Sequence, residues 1–164
     1  MASLNHRVLI QAPAEDVYRL LTTGAGLSGW WTKSEAKPEV GSIARFEFGP
    51  SYRKEMRITE LVPSRRVGWM CIAGTDEWVG TTIHFELECR DSGAMVAAHP
   101  EIGGQAEHMG QADEVTLLIF HHDGWKTGSP MFAECNYTWA LFLRSLKLLC
   151  ETGTGRPSPL LHRV

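Results

Sequence analysis

The stretch Ser129-Pro130-Met131-Phe132-Ala133-Glu134-Cys135-Asn136-Tyr137-Thr138-Trp139-Ala140-Leu141-Phe142-Leu143-Arg144-Ser145-Leu146-Lys147-Leu148-Leu149-Cys150 decides the fold. The Ser129 hydroxyl suits the open amides of a helix start, and Pro130 suits the first turn, where its missing N–H is not needed. Phe132, Cys135, Trp139, Phe142, Leu143, Leu146, Leu149 and Cys150 then recur in steps of three and four and form one wide apolar stripe. Glu134 near the start and Lys147 near the end oppose the helix dipole. Gly153 and Gly155 end the pattern, and Pro157 confirms the stop. The spacing predicts a helix of about 23 residues and about 34 Å. A rod with one apolar face needs a partner layer, and the preceding sequence supplies a sheet.

Working back toward the N-terminus, Leu4 to Gln11 reads as a first strand, with Val8 and Ile10 alternating against Leu9. Pro13 opens a short helix carried by Val17, Leu20 and Leu21, which Gly24 and Gly26 stop. A second short turn holds Leu27, Trp30 and Trp31. From about residue 33 to 123 the period changes to two. Phe46 and Phe48 share one strand face. Met56 and Ile58 share another, with Arg53, Lys54 and Arg57 assigned to the exposed side. Val67, Trp69 and Cys71 alternate after a Pro63-Ser64 turn. Ile83, Phe85 and Leu87 alternate against Thr82, His84, Glu86 and Glu88, as in a half-buried antiparallel strand. The last strand runs from Glu114 to His122 and is closed by Asp123-Gly124. Between these two strands, Asp91 to Asp113 is too long for a hairpin loop and reads as an insertion or mobile flap.

Strands in a run followed by one long helix give an α+β class. The expected architecture is a curved antiparallel sheet of six to seven strands wrapped around the C-terminal helix, with two short helices after the first strand. One domain is expected over residues 1–157, with 158–164 as a frayed tail.

The chain has 164 residues, 43% hydrophobic and 21% charged, a globular composition that excludes wholesale disorder. Its net charge of −3 argues against a sequence-independent nucleic-acid binder. No apolar run approaches the ~20 residues of a membrane span, and the N-terminus lacks a signal-peptide pattern, so the expected location is cytoplasmic. Cys71, Cys89, Cys135 and Cys150 form no Cys-x-x-Cys pair and read as buried or half-buried reduced thiols. Cys135 and Cys150 lie about 22 Å apart on one helix and cannot bridge.

One helix across a curled sheet leaves a hollow. Trp30, Trp31, Phe46, Phe48, Met56, Trp69, Trp78, Phe120, Trp139 and Phe142 converge on it, and six tryptophans is a rich supply for this length. Such rings either pack as an aromatic core or wall a pocket for a small hydrophobic or aromatic ligand. His122 shares a strand face with Thr116, Leu118 and Phe120 and is the candidate polar orienter of that ligand, or else a histidine satisfied by a loop carbonyl. No catalytic constellation is recognisable: there is no Gly-x-Ser-x-Gly elbow and no converging pair of titratable groups. His99, Glu101 and His108 form a loose cluster without zinc-site spacing, so no metal and no cofactor is expected. From Asp76 to Asp123 there are ten acidic residues and one basic residue, while Arg45 to Arg66 holds six basic and three acidic, read as solvated faces rather than a docking surface.

Several segments together resemble a known family. They are Ala12-Pro13-Ala14-Glu15-Asp16-Val17-Tyr18 leading to Trp30-Trp31, then Trp78-Val79-Gly80-Thr81-Thr82-Ile83, then Thr116 to Phe120 with His122-Asp123-Gly124-Trp125, and finally Asn136 to Trp139 with Leu143 to Gly155. In this order they are similar to the heat-shock-protein-90 ATPase activator homologues of the START-related (SRPBCC) superfamily. The resemblance spans about residues 4 to 157 and implies the helix-grip fold. It implies ligand binding in the hollow, or a cyclase, dehydratase or hydrolase working there. Chaperone activation is a property of longer family members with an added N-terminal domain, so a chaperone partner is not the leading expectation here. A homodimer is a further alternative. The Asp91–Asp113 insertion departs from the family's tight hairpin.

Overall fold

A computed structural model describes residues 1–164. The alternating segments pair into one antiparallel sheet of seven strands: β1 (Ala2–Ile10), β2 (Lys33–Glu35), β3 (Ile43–Glu47), β4 (Arg53–Val62), β5 (Arg66–Ala73), β6 (Thr82–Arg90) and β7 (Val115–Trp125). The order is β1-β7-β6-β5-β4-β3-β2, so β2 to β7 form a meander and β1 docks outside β7. Register shifts in the β1–β7 and β4–β5 pairs mark bulges, which bend strands and add twist. Period-two alternation sends Phe46, Met56, Trp69, Ile83, Phe85 and Phe120 to the inner face.

Helix α5 (Pro130–Thr152) lies on that face. The Phe132 amide donates to the Ser129 hydroxyl at 3.1 Å, and Gly153 closes the helix at φ +82°. The short helices α1 (Ala14–Thr22) and α2 (Gly24–Trp30) fill the adjoining gap. Their corner needs glycine at position 26, where a Cβ would lie 2.6 Å from the Leu20 Cα. Trp30 ties α2 back to α1, its indole N–H donating to the Leu20 carbonyl at 2.8 Å. The fold class and element order therefore match the sequence expectation.

Several local expectations are corrected. Strand β7 does not close at Asp123-Gly124. Gly124 takes φ +89° and the strand continues to Trp125, which pairs with Ala2. The Asp91–Asp113 segment is not a loose flap. It folds into α3 (Ser92–Ala98), a 3₁₀ turn (Pro100–Ile102) and α4 (Gly103–Ala106). The Asp91 carboxylate caps α3 by accepting from the Ala94 amide at 2.8 Å. Met95 and Ile102 bury against Leu9, Val115 and Leu117 in a second core on the outer sheet face. Those three residues are apolar on the side opposite α5 and need a cover, which the insertion provides.

The tail is not frayed either. The Ser158 amide donates to the Trp31 carbonyl at 2.7 Å, the Arg156 amide donates to the Ser145 hydroxyl at 2.6 Å, and Leu161 joins the main core. Lys54 is buried where an exposed side chain was expected. Its parity with Met56 and Ile58 points it inward despite its charge. Cys89 is exposed, not half-buried, because it falls at the end of β6.

Candidate ligand pocket

The hollow between α5 and the sheet is occupied by rings. Trp31 sits at its centre, with ring centroids 4.4 Å from Phe46, 5.1 Å from Trp139 and 5.8 Å from Trp69 in a stacked arrangement. Trp139 lies 4.6 Å from Phe120, and Trp69 meets Phe85 edge-on at 5.0 Å. These are the separations of aromatic pairs in direct contact. Trp30, Phe46, Met56, Trp69, Phe120 and His122 are buried in this packed interior and do not line the pocket beside it.

The rings stop short at one end, where a pocket of about 170 Å³ remains. Trp31, Phe48, Trp78, Trp139 and Phe142 line it, five of the eleven residues singled out from the sequence. Thr138 and Cys135 of α5 and Lys54 of β4 complete the walls, and Ser158, Leu161 and His162 of the tail close the outside. Lys54 and the tail were missed by sequence reasoning. The strand parity 54–56–58 was the available signal for Lys54. In the tail the available signal was the Leu160-Leu161 pair, which does not by itself say which leucine turns inward.

Lys54 is the unusual member of this set. Its Nζ stands 3.2 Å from the centroid of the Trp78 ring, 4.9 Å from Phe48 and 5.7 Å from Tyr52. The residue is 9% exposed, and its ammonium has neither a carboxylate partner nor a hydrogen bond. Burial pulls its pKa down to about 8. The nearby Cys135 and Cys71 thiols are pushed up by burial and stay protonated, so neither serves as a counter-ion.

His122 is held in a bracket. The Trp139 indole N–H donates to Nδ1 at 3.1 Å, which makes Nδ1 the acceptor and assigns the ring proton to Nε2. Nε2 then donates to the Thr81 hydroxyl at 2.8 Å, and that hydroxyl donates to the Trp78 carbonyl at 2.6 Å. Burial, reinforced by the Lys54 charge, lowers the His122 pKa to about 3, so the ring is neutral across the physiological range. Both nitrogens serve the protein. The ring positions Trp78 and Trp139 rather than facing the pocket.

A second, wider groove of about 600 Å³ runs along the edge of β1. Val8, Leu143 and Met109 give it apolar patches, and Arg7, Arg144, Lys147 and His108 give it charge or polarity. Side chains from α4 and α5 satisfy the outward backbone groups of β1 here. The Gln105 carboxamide accepts from the Leu9 amide at 2.9 Å and donates to the Arg7 carbonyl at 3.1 Å. Lys147 donates to the Leu9 carbonyl at 2.6 Å, and the Gln11 amide donates to Glu151 at 2.9 Å. Of the loose histidine cluster, His99 hydrogen-bonds Glu88 while His108 lines this groove. No group of three His, Cys, Asp or Glu residues converges as a metal site. No helix is long and apolar enough to cross a membrane.

The model of the family described as Activator of Hsp90 ATPase homolog 1-like protein matches residues 11–127. The solution structure of an Aha1 dimer from Colwellia psychrerythraea is 33% identical, with a TM-score of 0.72 over 94% of this chain and all of that one. A crystal structure of a protein from Mesorhizobium loti is 15% identical, with a TM-score of 0.68 over 90% of this chain and 96% of its own. The structure of CalU16 from Micromonospora echinospora is 19% identical, with a TM-score of 0.62 over 98% of this chain and 80% of its own. The last two likenesses concern the fold alone. No curated protein matches the chain.

Proposed function

The chain belongs to the family of Activator of Hsp90 ATPase homolog 1-like proteins, and from that premise and the pocket geometry we propose that it binds a compact, largely apolar aromatic ligand beside Trp78 and Trp139. The observation that carries this reading is the ring-lined space of about 170 Å³ left where an otherwise filled hollow meets the surface. A cavity of roughly 150 Å³ accommodates a benzene-sized molecule, so the ligand has a single ring and few substituents. The pocket is smaller than the ~300 Å³ at which drug-sized sites begin. Larger ligands enter only if Leu161 and the tail withdraw.

Binding is preferred to catalysis because His122, packed within the ring cluster, is neutral and engaged at both nitrogens, with Thr81 as its only side-chain oxygen partner, and because no Asp or Glu borders the pocket beside His162. The family description favours a second reading, a chaperone-linked interaction module, which a pull-down on immobilised Hsp90 tests. The dimeric Colwellia relative supports the homodimer alternative, and four free cysteines fit a reducing cytoplasmic location.

The direct test is to fill the space rather than empty it. Thr138 is half-buried on the pocket wall, and Thr138→Trp projects a ring into the opening without leaving a core void. Saturation-transfer NMR with benzyl alcohol is expected to show binding to the wild type and none to the variant. Equal binding to both refutes the pocket reading.

A further inference from the structure

We propose that the preferred occupant of this pocket is an aromatic acid, whose carboxylate pairs with Lys54 while its ring lies among Trp78, Trp139 and Phe48. The inference rests on the pocket reading and narrows it from aromatic molecules in general to their monoanionic carboxylates. Its ground is an electrostatic imbalance. A buried ammonium is ordinarily matched by a carboxylate, because removing a charge from water without a partner is costly. Lys54 has no such partner. It is surrounded by the faces of Trp78, Phe48 and Tyr52 and by protonated thiols. The ring faces offset part of the cost through cation–π attraction. They leave the ammonium's three donors without an acceptor from the protein, open to whatever enters the pocket.

The pocket supplies the remaining chemistry. Lys54 is the only lysine or arginine on its wall, and no Asp or Glu borders it. An anion entering there meets one cation and no repelling charge. A cationic ligand meets the reverse. None of the other polar wall groups, Thr138, Ser158 or His162, is hydrogen-bonded to the ammonium, and the Thr138 hydroxyl is turned to the Cys135 carbonyl at 3.3 Å. The ligand therefore places its carboxylate toward β4 and its ring against α5. The volume limits it to benzoate-sized acids while the tail is in place.

The experiment uses the full chain and two single-ring probes of similar size, benzoate and benzyl alcohol, with affinities from ligand-observed NMR titration. Benzoate is expected to bind the wild type about tenfold or more tightly than benzyl alcohol, the scale of a hydrogen bond to a charged group. Lys54→Met keeps the aliphatic stem and removes the charge. It is expected to erase the benzoate advantage while benzyl alcohol binds as before, with a thermal melt confirming that the variant is folded. Lys54→Gln repeats the measurement should the methionine variant not fold. Equal affinity of the two probes for the wild type overturns the proposal and leaves the pocket reading standing. Loss of both probes in Thr138→Trp, with a benzoate advantage that survives Lys54→Met, also overturns the proposal. Benzoate binding abolished instead by Arg144→Gln assigns the anion to the β1-edge groove and overturns it as well. If neither probe binds the wild type, the pocket reading fails and this inference fails with it.

Discussion

His122 makes acid sensitivity of the fold calculable. In the folded protein its pKa is lowered from 6.5 to about 3, and in the unfolded chain it returns to the ordinary value. Above pH 6.5 the ring is neutral in both states and contributes no pH dependence. As the pH falls below 6.5, only the unfolded chain takes up the proton, so stability declines until the folded ring also protonates near pH 3. Each pH unit in that window removes about 1.4 kcal/mol. Linkage gives a loss of about 2 kcal/mol at pH 5 and about 3 kcal/mol at pH 4, a large share of the ~5–15 kcal/mol that holds a domain folded. His6 and Glu88 also have lowered pKa values and push stability in the same direction, so the assay must isolate His122. Urea unfolding of the wild type and of His122→Asn at pH 7, 6, 5 and 4 does this. The asparagine carbonyl replaces Nδ1 as acceptor for the Trp139 indole and does not titrate. The variant starts lower at pH 7 by about 1–2 kcal/mol for the lost Thr81 hydrogen bond, but its stability falls less steeply with acid. Parallel pH profiles for the two proteins, or an imidazole that titrates near 6.5 by NMR in the native state, would refute the bracket described here.

Three further outcomes are expected. Leu161→Ala removes the tail's plug and costs about 2 kcal/mol in urea unfolding, the low end of the leucine-to-alanine range because the residue sits at the core's margin. It also admits two-ring aromatics such as naphthol, and unchanged selectivity for single rings would show that the tail does not gate the pocket. Only Cys89 is exposed, so a disulfide reagent at pH 8 should add one label rapidly by intact mass and the rest only after denaturation. Two or more fast labels would contradict the burial that raises the Cys71, Cys135 and Cys150 pKa values. Gln105→Ala should accelerate hydrogen exchange at the Leu9 amide while leaving Ile10 on its ladder protected; equal protection in both proteins would mean that the carboxamide does not hold the edge.

The architecture was legible where sequence periodicity and burial coincide. The stripe from Phe132 to Cys150 became α5, and the alternations at 67–71 and 83–87 became strands facing it, while of the 46–48 pair Phe46 lies in β3 and Phe48 just past its end. The aromatic set was legible as convergent, yet convergence does not distinguish a filled space from an open one. That depends on whether ring volumes sum to the space between layers, which no pattern of residue types reports. Lys54 escaped because charge outweighed parity in the reading. The structure shows parity prevailing, with the long aliphatic stem and three ring faces making a buried amine tolerable. The insertion escaped because its apolar residues, Met95 and Ile102, are too few for a helical period. Their partner face on β1 and β7 is visible only once the strands are laid side by side.

The side chains of Gln105, Lys147 and Glu151 occupy hydrogen-bonding positions that a neighbouring strand would otherwise take on β1. The opposite margin, β2, is only three residues long and carries Lys33 and Glu35. A sheet with one border occupied and the other short and charged gives little template for fibril growth. Any variant that frees β1 from α4 and α5 therefore trades a covered edge for an adhesive one, and turbidity on gentle heating would register that change before any loss of the native helix signal.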